Sequence, residues 1–389
     1  MTMTGLLDAA EILTLAERET GAYGLADEGL KARLGIVVDW ANRAGPYDSM
    51  RLAAVRAQVQ RMLAARLRIA FDRQACPAIA EERIERPIFV VGLPRTGTTL
   101  LHALLAEDPE VHALQSWHML SPSPPPGAGP VAAGRIAHAQ RLIEDWMQFC
   151  PAQKMMHPYI DKGAYQLIED EEAYGLDFRN VYPYHYYNVP TADFGVRLGA
   201  DALDAYQFHR ELLQHHQWNT ARKRWVCKSP SAQGFLDTIF KVYPDAMCVW
   251  AHRPIGEIYA SNVALRAAVF DTISGRPNDW NGRSMAIAEA MKAGIDTMLS
   301  QDLLDDPGIM HLPFRELAAD PLGTVRKVYD RAGLEVTSAF AGNVQAWLDA
   351  PENRVDRYGR YPYSYEPLGL SREWVEELFS DYSRRFGLD

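Results

Sequence analysis

Apolar positions recur every three or four residues through the first part of the chain, at Leu6, Ala9 and Leu13 and again at Leu52, Val55, Val59, Met62, Leu63 and Leu67, which predicts helices over residues 5–75. Gly21–Gly24 and Arg43–Tyr47 break the periodicity and separate them. A polar stretch from Asp72 to Arg86 then runs directly into Pro87-Ile88-Phe89-Val90-Val91, an apolar and largely β-branched run that predicts a buried strand. A helix is expected from Thr98 to about Ala106, stopped by Glu107-Asp108-Pro109-Glu110, with a short strand over Val111–Leu114 and a helix over Val131–Phe149. Arg224–Lys228 and Ala246–Ala251 read as two more strands, each followed by a helical pattern, over Ala232–Tyr243 and from Ile255. Strand, helix, strand, helix at this spacing predicts an α/β fold: a parallel sheet with right-handed crossovers, flanked by helices, with a helical N-terminal region and large helical insertions. The whole of residues 1–389 is expected to form one domain, with residues 1–82 packed on a core of residues 87–389.

Charge and cysteine usage narrow the classes. A formal net charge of −10 argues against a nucleic-acid binder, whose footprint is a basic excess, but leaves room for a local basic pocket. Cys76, Cys150, Cys227 and Cys248 show neither a disulfide framework nor metal-type spacing. The N-terminus has no basic segment followed by an apolar core, and no apolar run approaches the roughly 18 residues of a membrane span. A cytoplasmic protein with reduced thiols is expected.

The stretch Gly92-Leu93-Pro94-Arg95-Thr96-Gly97-Thr98-Thr99 joins the first strand to its helix. Two glycines separated by four residues and followed by Thr-Thr make a P-loop pattern in which Thr98 replaces the lysine of nucleotide triphosphatases. Glycine lets the backbone wrap an anion, and N–H groups at a helix start favour negative charge. Without the lysine, the expected ligand is a nucleotide with fewer terminal phosphates than ATP, with Arg95 offering a cation. Two further strands end in cations, Lys228 and His252-Arg253, where a P-loop kinase carries a metal-holding aspartate. Because ligands of such sheets bind beyond the strand C-termini, the cations gather around the loop and favour an additional phosphate without a metal.

Together, Pro94-Arg95-Thr96-Gly97-Thr98-Thr99-Leu100-Leu101, Trp225-Val226-Cys227-Lys228-Ser229-Pro230 and His252-Arg253-Pro254 with Ser261 beyond resemble the sulfotransferases that use 3′-phosphoadenosine 5′-phosphosulfate (PAPS), in particular their large bacterial branch. The likeness extends to Tyr363-Ser364-Tyr365-Glu366 before Gly369-Leu370. It implies that Arg95, Thr96, Gly97, Thr98 and Thr99 hold the 5′-phosphosulfate, that Arg253 and Ser261 hold the 3′-phosphate, and that Lys228 steadies the leaving charge. By analogy with a late basic loop of cytosolic relatives, Arg357 or Arg360 closes on the 3′-phosphate or simply faces solvent. No metal is expected.

The proton acceptor is where this chain departs from the resemblance. Many branch members carry histidine at the position of Ala232, and others a Glu-Leu-Trp-Glu run where this chain has Gln115-Ser116-Trp117-His118. His118 is the first choice, since an ordinary histidine pKa of about 6.5 suits a general base. His157 comes second. His252 is expected to flank the phosphate site, and His215 and His216 to be structural or solvated. The run Glu169–Glu172 reads as a solvated helix face. Tyr159, Tyr165 and Tyr174, with Tyr182, Tyr184, Tyr186 and Tyr187, line either an apolar acceptor pocket or core. A small hydroxylated, phenolic or lipid-like acceptor follows. The competing readings are a P-loop kinase and a nucleotide-binding module without transferase activity.

Overall fold

The structure, a computed structural model, describes residues 6–388 apart from 132, 180–190, 223, 231 and 276. The N-terminal periodicity becomes three helices, α1 (Ala9–Thr20), α2 (Glu28–Ala44) and α3 (Ser49–Ala75). Each starts on an aspartate: Asp8, Asp27 and Asp48 accept from the N–H groups of Glu11, Leu30 and Arg51 at 2.8, 2.7 and 2.8 Å, satisfying donors that a helix start leaves open. Val55, Val59, Leu63 and Leu67 meet Leu30 and Leu34 in one apolar cluster. The helices are tied to the rest of the chain through buried Asp177, whose carboxylate receives Arg33 at 2.7 Å, Arg66 at 2.7 Å and Arg179 at 2.8 Å.

The strands and helices that follow are β1 (Ile88–Val91), α4 (Thr98–Leu105), β2 (Val111–His112), α5 (Ser116–Leu120), α6 (Ala133–Phe149), α7 (Asp170–Gly175), α8 (Thr191–Gln217), β3 (Arg224–Ser229), α9 (Leu236–Val242), β4 (Met247–His252), α10 (Ile255–Ser274), α11 (Asn281–Leu299), β5 (Ile309–Pro313) and α12 (Phe314–Ala319). Four more helices close the chain, α13 (Pro321–Arg331), α14 (Ser338–Asp349), α15 (Arg372–Leu378) and α16 (Ser380–Phe386). The five strands form one sheet in the order β2-β3-β1-β4-β5, and every pairing is parallel. Alternation divides the side chains between two layers. Ile88, Val90, Val226 and Val249 pack on Leu101 and Leu104 of α4 and on Val325 and Val328 of α13. Phe89, Val91, Trp225, Cys227, Cys248 and Trp250 pack on Leu212 and Leu213 of α8 and on Ile239 and Ile258.

Three stretches differ from expectation. The helix expected over Ala232–Tyr243 is a 3-10 turn, Ala232–Gly234, then α9, because Phe235 leaves helical conformation at φ −137°. β5 escapes the periodicity because it is an edge strand whose Ile309-Met310-His311-Leu312-Pro313 is only partly buried. The carboxylates at 169–172 do not form a solvated face. Asp170 and Glu171 are buried, because the segment before α7 pairs antiparallel with the chain ahead of α5, through Gln115 and Leu167, and is carried against the sheet.

Candidate active site

The phosphate loop is built from backbone that side chains resist. Gly92, Arg95 and Gly97 have φ of 134°, 76° and 95°, a region glycine enters freely and arginine at a cost. A Cβ on Gly92 would stand 2.4 Å from the carbonyl oxygen of Ala251, and one on Gly97 2.6 Å from the ring of Phe314. Buried Thr96 closes the turn, its hydroxyl donating to the Leu93 carbonyl at 2.7 Å. Gly97 is then the N-cap of α4 and provides no side-chain cap, so the first N–H groups of the helix, with its positive dipole end, are available to an anion. Gly97→Ala is expected to lose about 1–3 kcal/mol of stability from the strained φ alone, and the push against Phe314 should distort the cradle. A thermal melt with and without adenosine 3′,5′-bisphosphate checks this, and a variant as stable and as responsive as wild type would refute it.

Strand register places the cations. Lys228 pairs with Val90, which puts it on the α4 side of the sheet, where its Nζ donates to Thr99 Oγ1 at 2.8 Å. The same ammonium lies 2.7 Å from Glu169 Oε1. His157 joins this corner. Its ring is held neutral, with its pKa lowered to about 4 by burial and then by Lys228, against the opposing pull of Glu169. Arg95 reaches over the same segment, donating from Nη1 to the Met156 carbonyl at 2.9 Å. Burial, with Arg253 nearby, lowers the Arg95 pKa, which is partly offset by Tyr363.

Arg253 follows β4 and turns back to the loop. Its Nη1 donates to the Arg95 carbonyl at 3.5 Å, its Nε to Glu257 at 2.8 Å, and its guanidinium lies 4.6 Å from the centre of the Phe314 ring. Ser261 sits one helical turn beyond Glu257 on the same face of α10 and is nearly buried. Arg95, Thr96, Gly97, Thr98, Thr99, Lys228 and Arg253 are thus brought to one edge of the sheet.

The other expected residues stand elsewhere. His118 is buried in α5. Its Nδ1 accepts from the Gln115 N–H at 2.9 Å, and its ring lies 3.9 Å from that of Trp117 and 4.4 Å from that of His216. Its pKa falls to about 3 through burial and the neighbouring His112, Arg135 and His215, so the ring is neutral. Arg357 is engaged with Asp161, at 3.0 and 2.7 Å in a two-pronged pair, while Arg360 is exposed. His252, the last residue of β4, falls on the same side of the sheet as Trp250, because alternate strand residues share a face. There its Nδ1 meets Tyr382 Oη and its Nε2 meets His311 Nδ1, both at 2.8 Å, and His311 Nε2 reaches the Leu304 carbonyl at 2.7 Å. That carbonyl can only accept, so His311 donates from Nε2, His252 donates from Nε2, and Tyr382 donates its hydroxyl proton. His252 therefore fastens the C-terminal helix and does not flank the loop. His215 and His216 are both buried. Tyr182, Tyr184, His185, Tyr186 and Tyr187 lie outside the described residues.

Sequence reasoning missed Glu169 as a partner of Lys228, and only the 114–116 against 166–168 pairing reveals it. Next to it, Asp170 accepts from the Ser229 hydroxyl and lies 3.3 Å from His209 Nε2, while His209 Nδ1 meets Tyr243 Oη at 2.8 Å. Asp170, His209 and Cys227 each bring a ligand-type atom within 4.8 Å of the others. The Ser229 hydroxyl engages the Asp170 carboxylate, His209 lies beside it, and burial pushes the Cys227 thiol up, which makes this cluster a buried polar brace behind Lys228.

A parallel sheet with an uncapped glycine loop, and with cations at the ends of the two adjoining strands, is suited to hold an anionic ligand. A sequence profile of the sulfotransferase family matches residues 87–338, and the chain belongs to that family. It is 21% identical, over 341 residues covering 83% of this chain and 79% of the relative, to the omega-hydroxy-beta-dihydromenaquinone-9 sulfotransferase Stf3 of Mycobacterium bovis, and matches that of Mycobacterium tuberculosis equally. Its fold is similar to crystal structures of sulfotransferase STF9 from Mycobacterium avium (TM-score 0.84, 24% identity, 100% of this chain and 99% of that one) and of STF1 from M. tuberculosis H37Rv (TM-score 0.77, 25% identity, 97% and 99%). The protein is a sulfotransferase, of a family that in general draws its sulfuryl group from PAPS. Among the described residues, no helix is long and apolar enough to cross a membrane.

Proposed function

We propose that this protein moves the sulfuryl group of PAPS to a hydroxyl, or an amine, of a lipid-like acceptor, without a metal. The observation that carries the donor is the fit of the loop: an uncapped helix start, kept open by Gly97, with Lys228 and Arg253 at its two flanks. The α4 N–H groups, Thr99 and Arg95 would hold the 5′ end and Arg253 with Ser261 the 3′-phosphate. When bound, PAPS supplies an activated sulfuryl group whose transfer leaves charge on the 5′ phosphate. Lys228 is placed to meet that charge, as an ammonium beside the loop and buried from water. The mycobacterial relatives, named for a menaquinone derivative with a terminal hydroxyl, support a lipid-like acceptor.

The same reading takes the chain as one domain in the cytoplasm. The Asp177 contacts with Arg33 and Arg66 support the first point and four unpaired cysteines the second. Titration calorimetry with adenosine 3′,5′-bisphosphate in chelator tests the donor. Micromolar binding is expected, and Arg253→Ala should weaken it at least about tenfold, the low end of a charge-assisted contact of about 1.5–3 kcal/mol. Binding that ignores Arg253 and appears only with ATP and magnesium would replace this reading with a kinase.

A further inference from the structure

We propose that Glu169 takes the acceptor's proton, and that its ion pair with Lys228 withholds it from that task until an anion occupies the phosphate loop. This rests on the reading of the protein as PAPS-dependent.

One ammonium serves two masters here. Lys228 Nζ donates to Thr99 Oγ1 at the mouth of the loop and to Glu169 Oε1 at 2.7 Å on its other side. The two partners differ in exposure: the Lys228 side chain is 5% exposed and that of Glu169 is 32% exposed. The position of Glu169 is fixed from behind. The next residue, Asp170, is held by Ser229, the residue after Lys228, so consecutive carboxylates grip consecutive residues of β3 from the two sides of the strand. The other titratable groups facing Glu169 are His157, on the turn before Pro158, and His102 of α4.

Burial pushes the Glu169 carboxyl up, but the charge of Lys228 and its hydrogen bond outweigh it and hold the carboxyl below its usual range. A carboxylate so stabilised is a poor base. An anion entering the loop competes for the Lys228 charge and brings negative charge of its own. The opposing effect of burial then prevails, and Glu169 becomes more basic where the acceptor arrives. With PAPS bound, Glu169 would accept the proton of the acceptor hydroxyl as that oxygen bonds to sulfur, and the electron pair of the broken S–O bond would go to the 5′-phosphate of the leaving nucleotide, whose charge Lys228 would steady. The gate makes base strength depend on donor occupancy, which protects against unproductive deprotonation in the empty enzyme.

The test reads protons. Adenosine 3′,5′-bisphosphate is titrated by calorimetry at about pH 6 in two buffers of different ionisation heat, into wild type, Glu169→Gln and Glu169→Asp. Titration of the nucleotide itself is common to all three and cancels. Wild type is expected to take up at least about 0.2 proton per site more than Glu169→Gln, and Glu169→Asp to retain the excess. With an ω-hydroxylated menaquinone as acceptor, kcat should fall about 10²–10⁴-fold in Glu169→Gln, with bisphosphate affinity retained or tightened, and recover in part in Glu169→Asp. Unchanged kcat in Glu169→Gln overturns the proton-accepting role. Equal proton uptake in wild type and Glu169→Gln overturns the gate. Wild type that fails to bind the bisphosphate overturns the donor assignment itself, a result separate from both.

Discussion

Replacing Lys228 with alanine is expected to lower kcat about 10²–10³-fold, the loss typical when a preorganised group that meets developing charge is removed. Lys228 is 4% exposed, so its charge acts in a medium that screens far less than water. Its placement is also preorganised: the Val90 register sets its height on the sheet, and Thr99 and Glu169 set its direction. Lys228→Arg keeps the charge but cannot reproduce a compact ammonium between two partners, so it should restore only part of the rate. Steady-state kinetics with saturating donor separates this from weaker binding. A kcat within a few-fold of wild type in Lys228→Ala would move the charge-stabilising role to Arg95 or Arg253.

The largest expected effect on stability is at Asp177. Its carboxylate accepts Arg33, Arg66 and Arg179, with side chains 4% exposed for the acid and 11%, 16% and 10% for the three arginines. Asp177→Ala leaves poorly solvated guanidinium groups without their shared anion, and removal of one partner of a buried pair costs about 3–5 kcal/mol. Since Arg33 and Arg66 belong to α2 and α3, the loss should appear first as loosening of the N-terminal helices, read by amide exchange, and then as a lower denaturant midpoint. Burial alone would raise the Asp177 carboxyl, but Arg66, Arg33 and the hydrogen bond from Arg179 prevail and hold it below its usual range. A depressed carboxyl contributes stability that is complete above the unfolded pKa of about 3.9 and disappears as pH falls through the folded value. The wild-type advantage over Asp177→Ala should therefore be constant near neutrality and shrink only in acid; an advantage that grew with acidification would contradict the assignment.

The parts of the fold legible in the sequence were those whose burial is complete. β1, β3 and β4 are central strands and read as apolar runs, while β5, at the edge and ending in Pro313, does not. The phosphate loop was legible because its backbone demands glycine at fixed spacing. Lys228 and Arg253 were legible because both end strands beside that loop. The neighbours of those cations were not. Glu169 approaches Lys228 across 59 positions through a contact that no local pattern encodes. His118 has the residue type of a base, but its ring is turned to the Gln115 N–H, closing the first turn of α5. His252 next to Arg253 shows the limit of reading by adjacency: His252 ends β4 with its ring on the Trp250 side, whereas Arg253, past the strand, turns back to the loop.

Phe314 opens α12 at the end of the edge strand and touches both halves of the phosphate site, its ring against Gly97 and beneath the Arg253 guanidinium. One rigid ring thereby acts as a spacer between the glycine loop and Arg253. Under the proposed donor assignment, that spacer would set the separation of the two charged groups of the ligand, and the site would work as a gauge of their distance. A mutation that only shortens this ring would recalibrate the gauge while leaving every charged residue in place.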